Sequence, residues 1–242
     1  LPVARPSKRL EFIGDSITCG SGVESSPSGE TADPIRSNAR LSFGKRIAKA
    51  LGAECHLVSY GGRGVIRDWQ GIRATNNAPQ FYELTLPDDP ATPWNFRRFV
   101  PDVIGICLGQ NDFNQGIPDE NEFVNAYVEF VRKVHRDAPR AVIFLMDSPM
   151  LLDEPGQVPK RTVSAAYIDE VVSRVGSPLV RRINLPHFPG SKGDPHPTAE
   201  SHEAMTAFLI PYFRDALSVS RPRPEAEPSA ACADCPRPRV PA

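Results

Sequence analysis

The sequence predicts an α/β fold: a three-layer α/β/α sandwich around a central, mostly five-stranded parallel sheet. Strand-like apolar runs alternate along the chain with segments of helical apolar spacing, the pattern of a parallel sheet with helices on both sides. The run from Val103 to Leu108 is almost continuously apolar, as in a strand buried on both faces. A chain of 242 residues that is 40% apolar has the material for one sizeable core.

The elements follow in order. Leu10 to Ile13 reads as the first strand, and the Gly-, Ser- and Pro-rich stretch from Ser21 to Asn38 as a loop. Leu41, Ile47, Ala48 and Leu51 have helical spacing and stop at Gly52, a good C-terminal cap. His56 to Ser59 is the second strand. The segment from Arg63 to Pro101 carries several prolines and only short helical patterns, and a long irregular stretch in a compact domain usually has a functional reason. After the third strand, Asp119 and Glu122 resemble a capping box, and Phe123, Tyr127, Phe130, Val131 and Val134 form one apolar stripe of a helix. Ala141 to Met146 is the fourth strand, Tyr167 to Val175 a helix, Leu179 to Ile183 the fifth strand, and Thr198 to about Leu217 the last helix. The domain is thus expected to span residues 1–217. From Ser218 to Ala242 the pattern stops in a Pro-rich stretch that is expected to be disordered.

Composition excludes several classes of function. A net charge of −1 gives no long-range field for nucleic acid or an anionic membrane. No apolar run approaches the roughly 20 residues that span a bilayer. The chain opens Leu-Pro-Val-Ala-Arg with neither a methionine nor a signal-peptide pattern, and reads as a processed or trimmed start. Cys19, Cys55, Cys107, Cys232 and Cys235 do not suggest a disulfide framework. Cys232 and Cys235 have CxxC spacing, without the second pair of a zinc site. His187, His196 and His202 match no zinc spacing either, so neither metal nor cofactor is expected.

Four short blocks carry the chemistry. Gly14-Asp15-Ser16-Ile17-Thr18, Gly61-Gly62-Arg63-Gly64 and Gly109-Gln110-Asn111-Asp112 each follow a predicted strand, and Asp194-Pro195-His196-Pro197 stands near the end. The first three therefore fall at the carboxyl edge of the sheet, where ligands bind in open α/β folds. Each block has an ordinary structural role of its own: Ser16 as a helix cap, the glycines in a tight turn, Asn111 in a turn. Asp15 reads as a buried hydrogen-bonding residue that shapes the turn. Gly62-Arg63-Gly64 lacks the third glycine of a dinucleotide fingerprint, with Arg67 in its place, and no G-x-S-x-G elbow exists. Together the blocks supply a hydroxyl, oxyanion donors, an amide and an imidazole, the set needed for acyl transfer through a serine nucleophile.

In that conjunction the chain resembles the SGNH (GDSL-like) hydrolases. The stretches Leu10 to Gly20, Tyr60 to Ile66, Phe81 to Leu86, Trp94 to Phe96 and Pro101 to Phe113 are similar to carbohydrate esterase family two, the acetyl-xylan esterase-type deacetylases. The resemblance runs from Arg9 to Leu217. It implies Ser16 as nucleophile, His196 as base, and an oxyanion hole made of the Ser16 and Gly62 backbone N–H groups and the Asn111 side chain. It further implies an acetylated carbohydrate such as xylan or glucomannan as substrate, with a preference for the 6-position, and action outside the cell, with a cytoplasmic enzyme as the alternative. Trp69, Trp94 and Phe113 are candidate sugar-stacking rings, with the core as the competing place for each.

The chain also departs from the family. The usual N-terminal β-sandwich has no counterpart, which reads as a trimmed catalytic domain or a shortened member. Pro195 stands where an aromatic residue often precedes the histidine, and Gln110 where threonine is common. Asp194 lies two residues before His196, whereas most of the superfamily has its acid three before, where Gly193 stands here. Asp194 is the candidate third member, with a Ser–His dyad oriented by a backbone carbonyl as the alternative. The competing functions are a lipase- or thioesterase-like hydrolase of longer acyl esters and an inactive carbohydrate-binding module.

Overall fold

The computed structural model describes residues 6–24, 37–74 and 76–219. Five parallel strands, β1 (Arg9–Gly14), β2 (Glu54–Ser59), β3 (Val103–Cys107), β4 (Val142–Met146) and β5 (Val180–Ile183), lie side by side in the order β2-β1-β3-β4-β5. This is a doubly wound order: the chain leaves β1 toward β2 on one side and returns to β3 on the other, so the crevice opens beyond the carboxyl ends of β1 and β3.

Strand alternation sorts the core into two layers. Ile13, Ile104, Ile106, Ile143 and Leu145 face one way, onto α5 (Glu120–Asp137) and α6 (Lys160–Val175). Leu10, Phe12, Val103, Phe144 and Met146 face the other, onto α2 (Phe43–Ala50) and α7 (Ala199–Val219). Short helices α1 (Ser16–Cys19), α3 (Ala78–Phe81) and α4 (Gln110–Asn114) lie in the connections. A two-stranded antiparallel hairpin, β6 (Gly190–Ser191) and β7 (Asp194–Pro197), precedes α7.

The expected elements are present, with instructive differences at their ends. Helix α6 starts at Lys160, seven residues before the expected Tyr167, because Asp153 receives the N–H groups of Arg161 (2.8 Å) and Thr162 (3.2 Å) and closes its first turn from outside. The capping box at α5 is half made. Asp119 accepts from Glu122 N–H at 2.9 Å, but the Glu122 carboxylate pairs with Arg73. Helix α7 continues through Ser218 to Val219, two residues past the expected end, with Pro211 inside it. Most of the expected loop from Ser21 to Asn38 falls outside the described residues. So does the tail beyond Val219, with Cys232 and Cys235.

Candidate active site

Each of the first three blocks emerges at a strand's carboxyl end. Ser16 begins α1 directly after β1, and Asp15 caps that helix by accepting the Ile17 N–H at 3.0 Å. Gly62 follows β2, and Asn111 lies in α4 after β3. The fourth block is the hairpin strand β7. Successive side chains of a strand point to opposite faces, so residues i and i+2 share a face. Asp194 and His196 are such a pair, which is why a spacing of two suffices here.

His196 Nε2 lies 2.9 Å from Ser16 Oγ, and His196 Nδ1 lies 2.7 Å from Asp194 Oδ1. The same carboxylate oxygen accepts the His196 backbone N–H at 3.0 Å. A carboxylate only accepts, so Nδ1 carries the proton and Nε2 presents its lone pair to the Ser16 hydroxyl. Asp194 is buried, at 5% side-chain exposure, while His196 stays 26% exposed to the cleft. Ser16, His196 and Asp194 thus stand in one hydrogen-bonded row, and no backbone carbonyl is needed to hold the ring.

The opposite wall is made of backbone held by buried carboxylates. Gly62 has φ of +75°, and a Cβ there would come within 2.8 Å of Trp69 Cδ1, so only glycine gives this turn. Neither its N–H nor that of Ser16 has a hydrogen-bond acceptor among the described residues. Asp112, fully buried in α4, gathers the N–H groups of Val65 (2.9 Å), Ile66 (2.8 Å) and Arg67 (3.3 Å), pinning the loop that follows Gly62. Gly64 is the close approach that permits this: a Cβ there would sit 2.3 Å from Asp112 Oδ2. Arg67, where a dinucleotide loop would have glycine, donates to the carbonyls of Asp112 and Gly116.

Asn111 Nδ2 faces two acceptors, Asp15 Oδ2 at 3.0 Å and the Arg63 carbonyl at 2.9 Å. An amide nitrogen has two N–H donors, so both are engaged, and an oxyanion would have to share one of them. Burial pushes the Asp15 carboxyl up to about 7, against the Ile17 N–H that lowers it and with Asp112 adding repulsion. Burial likewise raises Asp112 to about 6, against the N–H groups of Ile66, Val65 and Arg67 and the Arg67 charge.

These residues line a pocket of about 390 Å³, shared by Ser16, Gly62, Trp69, Asn111, Met150 and His196. That volume lies in the range of small-molecule sites. Trp69 is 51% exposed at its rim, and its carbonyl accepts from the side chains of Asn114 (2.8 Å) and Gln115 (3.1 Å). A larger groove, about 580 Å³, lies against α5 and holds none of these groups.

Two of the three aromatic candidates lie elsewhere. Phe113 is fully buried, its ring centroid 5.5 Å from Phe123 and 5.8 Å from Tyr167. It comes two residues after Asn111, and neighbours that close on a helix do not share a face. With Asn111 toward the pocket, Phe113 points into the core. Trp94 covers His56 on the edge strand β2, centroids 5.0 Å apart, away from the pocket. Met150 is a pocket residue that the sequence did not disclose, and Asp112, inside the third block, had no role assigned there. Met150 reaches the pocket from a loop, and Asp112 acts through backbone groups that leave no pattern in side-chain identities. Among the described residues, no three His, Cys, Asp or Glu side chains are grouped to hold a metal ion, and no helix is long and apolar enough to cross a membrane.

Comparison with known proteins gives the chain's family. The profile of the GDSL-like Lipase/Acylhydrolase family matches residues 12–204. An acetylxylan esterase / glucomannan deacetylase of Cellvibrio japonicus is 37% identical over 213 residues, which are 88% of this chain and 58% of that protein. The solved structure of a family two carbohydrate esterase from Cellvibrio japonicus superposes with a TM-score of 0.83 at 37% identity, covering 90% of this chain and 64% of that one. A family two carbohydrate esterase from Clostridium thermocellum, solved in complex with cellohexaose, gives a TM-score of 0.82 at 30% identity, covering 90% and 67%. The chain therefore spans between half and about two thirds of the length of these relatives. With four-fifths of its residues inside the family profile, the chain belongs to the GDSL-like lipase/acylhydrolase family, alongside the family two carbohydrate esterases.

Proposed function

We propose that this chain is the catalytic domain of a serine esterase that removes O-acetyl groups from plant polysaccharides such as xylan and glucomannan, outside the cell, with preference for the 6-position of hexoses. The observation that carries the reading is the row Ser16 Oγ, His196 Nε2 and Nδ1, Asp194 Oδ1, at 2.9 and 2.7 Å, facing the unengaged Gly62 N–H across a small pocket. In the first half-reaction His196 Nε2 takes the Ser16 proton as Oγ attacks the acetyl carbonyl carbon. Negative charge then develops on the carbonyl oxygen, where the N–H groups of Ser16 and Gly62 and the Asn111 amide receive it. Collapse expels the sugar hydroxyl with the proton from His196 and leaves acetyl on Ser16. Water, deprotonated by His196, releases acetate.

The relatives' names support acetylated polysaccharide as the substrate class, and Trp69 at the rim offers a face on which a sugar ring can stack. The test is acetate release from acetylated xylan, acetylated glucomannan and 6-O-acetyl sugars, followed by NMR beside octanoyl esters, with Ser16→Ala as the control. Acetyl sugars should be turned over and octanoyl esters poorly, with Ser16→Ala inactive yet folded. Equal rates across acyl lengths would favour a lipase-like hydrolase, and no turnover of any ester would favour a binding module.

A further inference from the structure

The segment that follows the Ser16 helix runs back against His196. Helix α1 is capped by Gly20, whose N–H donates to the Ile17 carbonyl at 3.1 Å, and the Ser21 N–H donates to the Ser16 carbonyl at 3.0 Å. Two residues after that cap, Gly22 lies against β7 at His196. It has φ of +83°, and a Cβ on it would stand 2.7 Å from His196 Cβ and 3.0 Å from the His196 carbonyl oxygen. Non-bonded carbons settle about 3.5–4.0 Å apart, so even the methyl of alanine would force a separation of roughly 1 Å. Neither atom it meets is the free end of a side chain; both are fixed to the strand.

The two sides of this contact are unequally held. Besides its bonds to α1, the turn is tied to the chain at residues 37–38. Asn38 N–H donates to the Gly20 carbonyl at 3.1 Å, Ser21 Oγ meets Ser37 Oγ at 2.9 Å, and Asn38 Nδ2 donates to Glu24 Oε1 at 2.7 Å. Strand β7, in contrast, pairs with the two residues of β6 and lies outside the five-stranded sheet. Under load, β7 is the part that gives. Asp194 and His196 share that strand and would travel together, keeping their 2.7 Å bond, while Ser16 would stay behind on α1. The distance from Ser16 Oγ to His196 Nε2 is 2.9 Å, already that of a hydrogen bond, so a displacement lengthens or bends it.

We propose that Gly22 is a positioning residue for the reaction: its missing Cβ is the gap that lets β7 close on the turn after α1, and so sets the reach of His196 to Ser16. The proposal rests on the serine-esterase reading above and adds to it a residue that touches no reacting atom. Proton transfer then depends on a main-chain contact as well as on the three side chains of the row.

The measurement is hydrolysis of 4-nitrophenyl acetate by wild type, Gly22→Ala, Gly22→Asn and Gly52→Ala. Gly52, just past α2, also has a positive φ, +61°, but a Cβ there meets nothing within 4 Å. Gly52→Ala therefore carries the backbone strain without the contact. Asparagine tolerates positive φ better than alanine, so Gly22→Asn carries the contact with less of the strain. Both Gly22 variants should lose about 10²-fold in kcat with KM little changed, the cost of a misplacement of about 1 Å. Gly52→Ala should match wild type. Sulfonylation of Ser16 by phenylmethanesulfonyl fluoride, in which Oγ displaces fluoride and gives its proton to His196, should slow by a similar factor in both Gly22 variants. Gly22 variants as active as Gly52→Ala overturn the proposal, as does a change confined to KM, which would make the turn part of the substrate wall. Gly22 variants that do not fold overturn it too, because the turn would then hold the fold and not the reach of His196. Wild-type protein that neither hydrolyses the ester nor is sulfonylated at Ser16 overturns the serine-esterase reading itself, and the role of Gly22 with it.

Discussion

On one side of the cleft, Ser16, His196 and Asp194 form a row of three side chains joined by two hydrogen bonds, and the base is left partly exposed. On the other side, the groups proposed to meet the substrate oxygen are mostly backbone N–H groups, and the Asp15 and Asp112 side chains behind them are fully buried. In the proposed mechanism Asp194 acts directly on the ring that moves the proton. Asp112 touches no reacting atom and acts by holding the Gly62–Arg67 loop through three backbone N–H groups. Behind that wall, burial raises Asp15 to about 7 and Asp112 to about 6. The row of side chains does chemistry by exchanging a proton. The opposing wall does it by remaining still.

The largest effect should come from the row. Asp194→Ala removes the acceptor that fixes both the tautomer and the orientation of His196, and losses of this kind run to about 10⁴ in kcat. The protein should remain folded, since the hairpin strand keeps its backbone pairing to Gly190 and Ser191. A fall of only a few-fold would mean that something other than Asp194 orients the imidazole, and the contrast between the two walls would lose its first term.

The opposing wall predicts a smaller and differently shaped loss. Asn111→Ala should lower kcat by about 10² to 10³ with KM little changed, the effect of removing one preorganised oxyanion donor. Asp112→Asn provides the comparison. The new amide offers one acceptor oxygen where the carboxylate offered two, and its NH₂ opposes one of the loop N–H groups. Its loss should also fall on kcat, and be smaller than that of Asn111→Ala, because the Gly62 N–H is displaced but not removed. An effect of Asp112→Asn on KM alone would show that the loop positions substrate and not the oxyanion.

The two walls were unequally legible in the sequence. Ser16, His196 and Asn111 stood out because each block follows a strand or opens a helix, and the periodicity of strands and helices survives in one sequence. Asp194 was legible as a candidate only, since the choice between a spacing of two and of three depends on whether the segment is extended, and β7 is too short to announce itself. Asp112 stood in the third block but its role left no signal: the bonds it makes are to the main chain of residues 65–67, whose side chains are immaterial to them. Phe113 and Trp94 stayed open between pocket and core for a related reason. An aromatic residue near a functional block is as easily core as surface, and only the direction of its side chain on α4, or its partner on β2, decides. The early start of α6 was hidden because its first turn is closed by Asp153 from across a loop, not by a residue at the capping position.

The smallest effect concerns His202, six residues beyond His196, and it separates a buried imidazole from the buried carboxylates of the opposing wall. His202 is fully buried and stacked on Phe43, and its Nδ1 accepts the Phe43 N–H at 3.1 Å, so a side chain of α7 caps the start of α2. Burial lowers its pKa from 6.5 to about 4, with Arg46 and His196 acting in the same direction. A depressed histidine is stabilising while neutral, so its contribution is complete above pH 6.5 and is lost as pH falls through the window from 6.5 to about 4. At 1.36 kcal/mol per unit the full loss is roughly 3 kcal/mol. Asp15 and Asp112 have the opposite sign: their raised pKa values make the folded state bind protons more tightly, so they add stability as pH falls below about 7 and about 6. The wild-type curve therefore mixes opposing slopes, and a difference measurement separates them. His202→Gln can still accept the Phe43 N–H but cannot be protonated. Its unfolding free energy, measured by urea denaturation and subtracted from that of wild type at each pH, should move in favour of the variant between pH 6.5 and 4 by up to roughly 3 kcal/mol. Parallel curves across that window would show that His202 takes up its proton without leaving the α2 cap, and that the acid response of the fold belongs to the carboxylates alone.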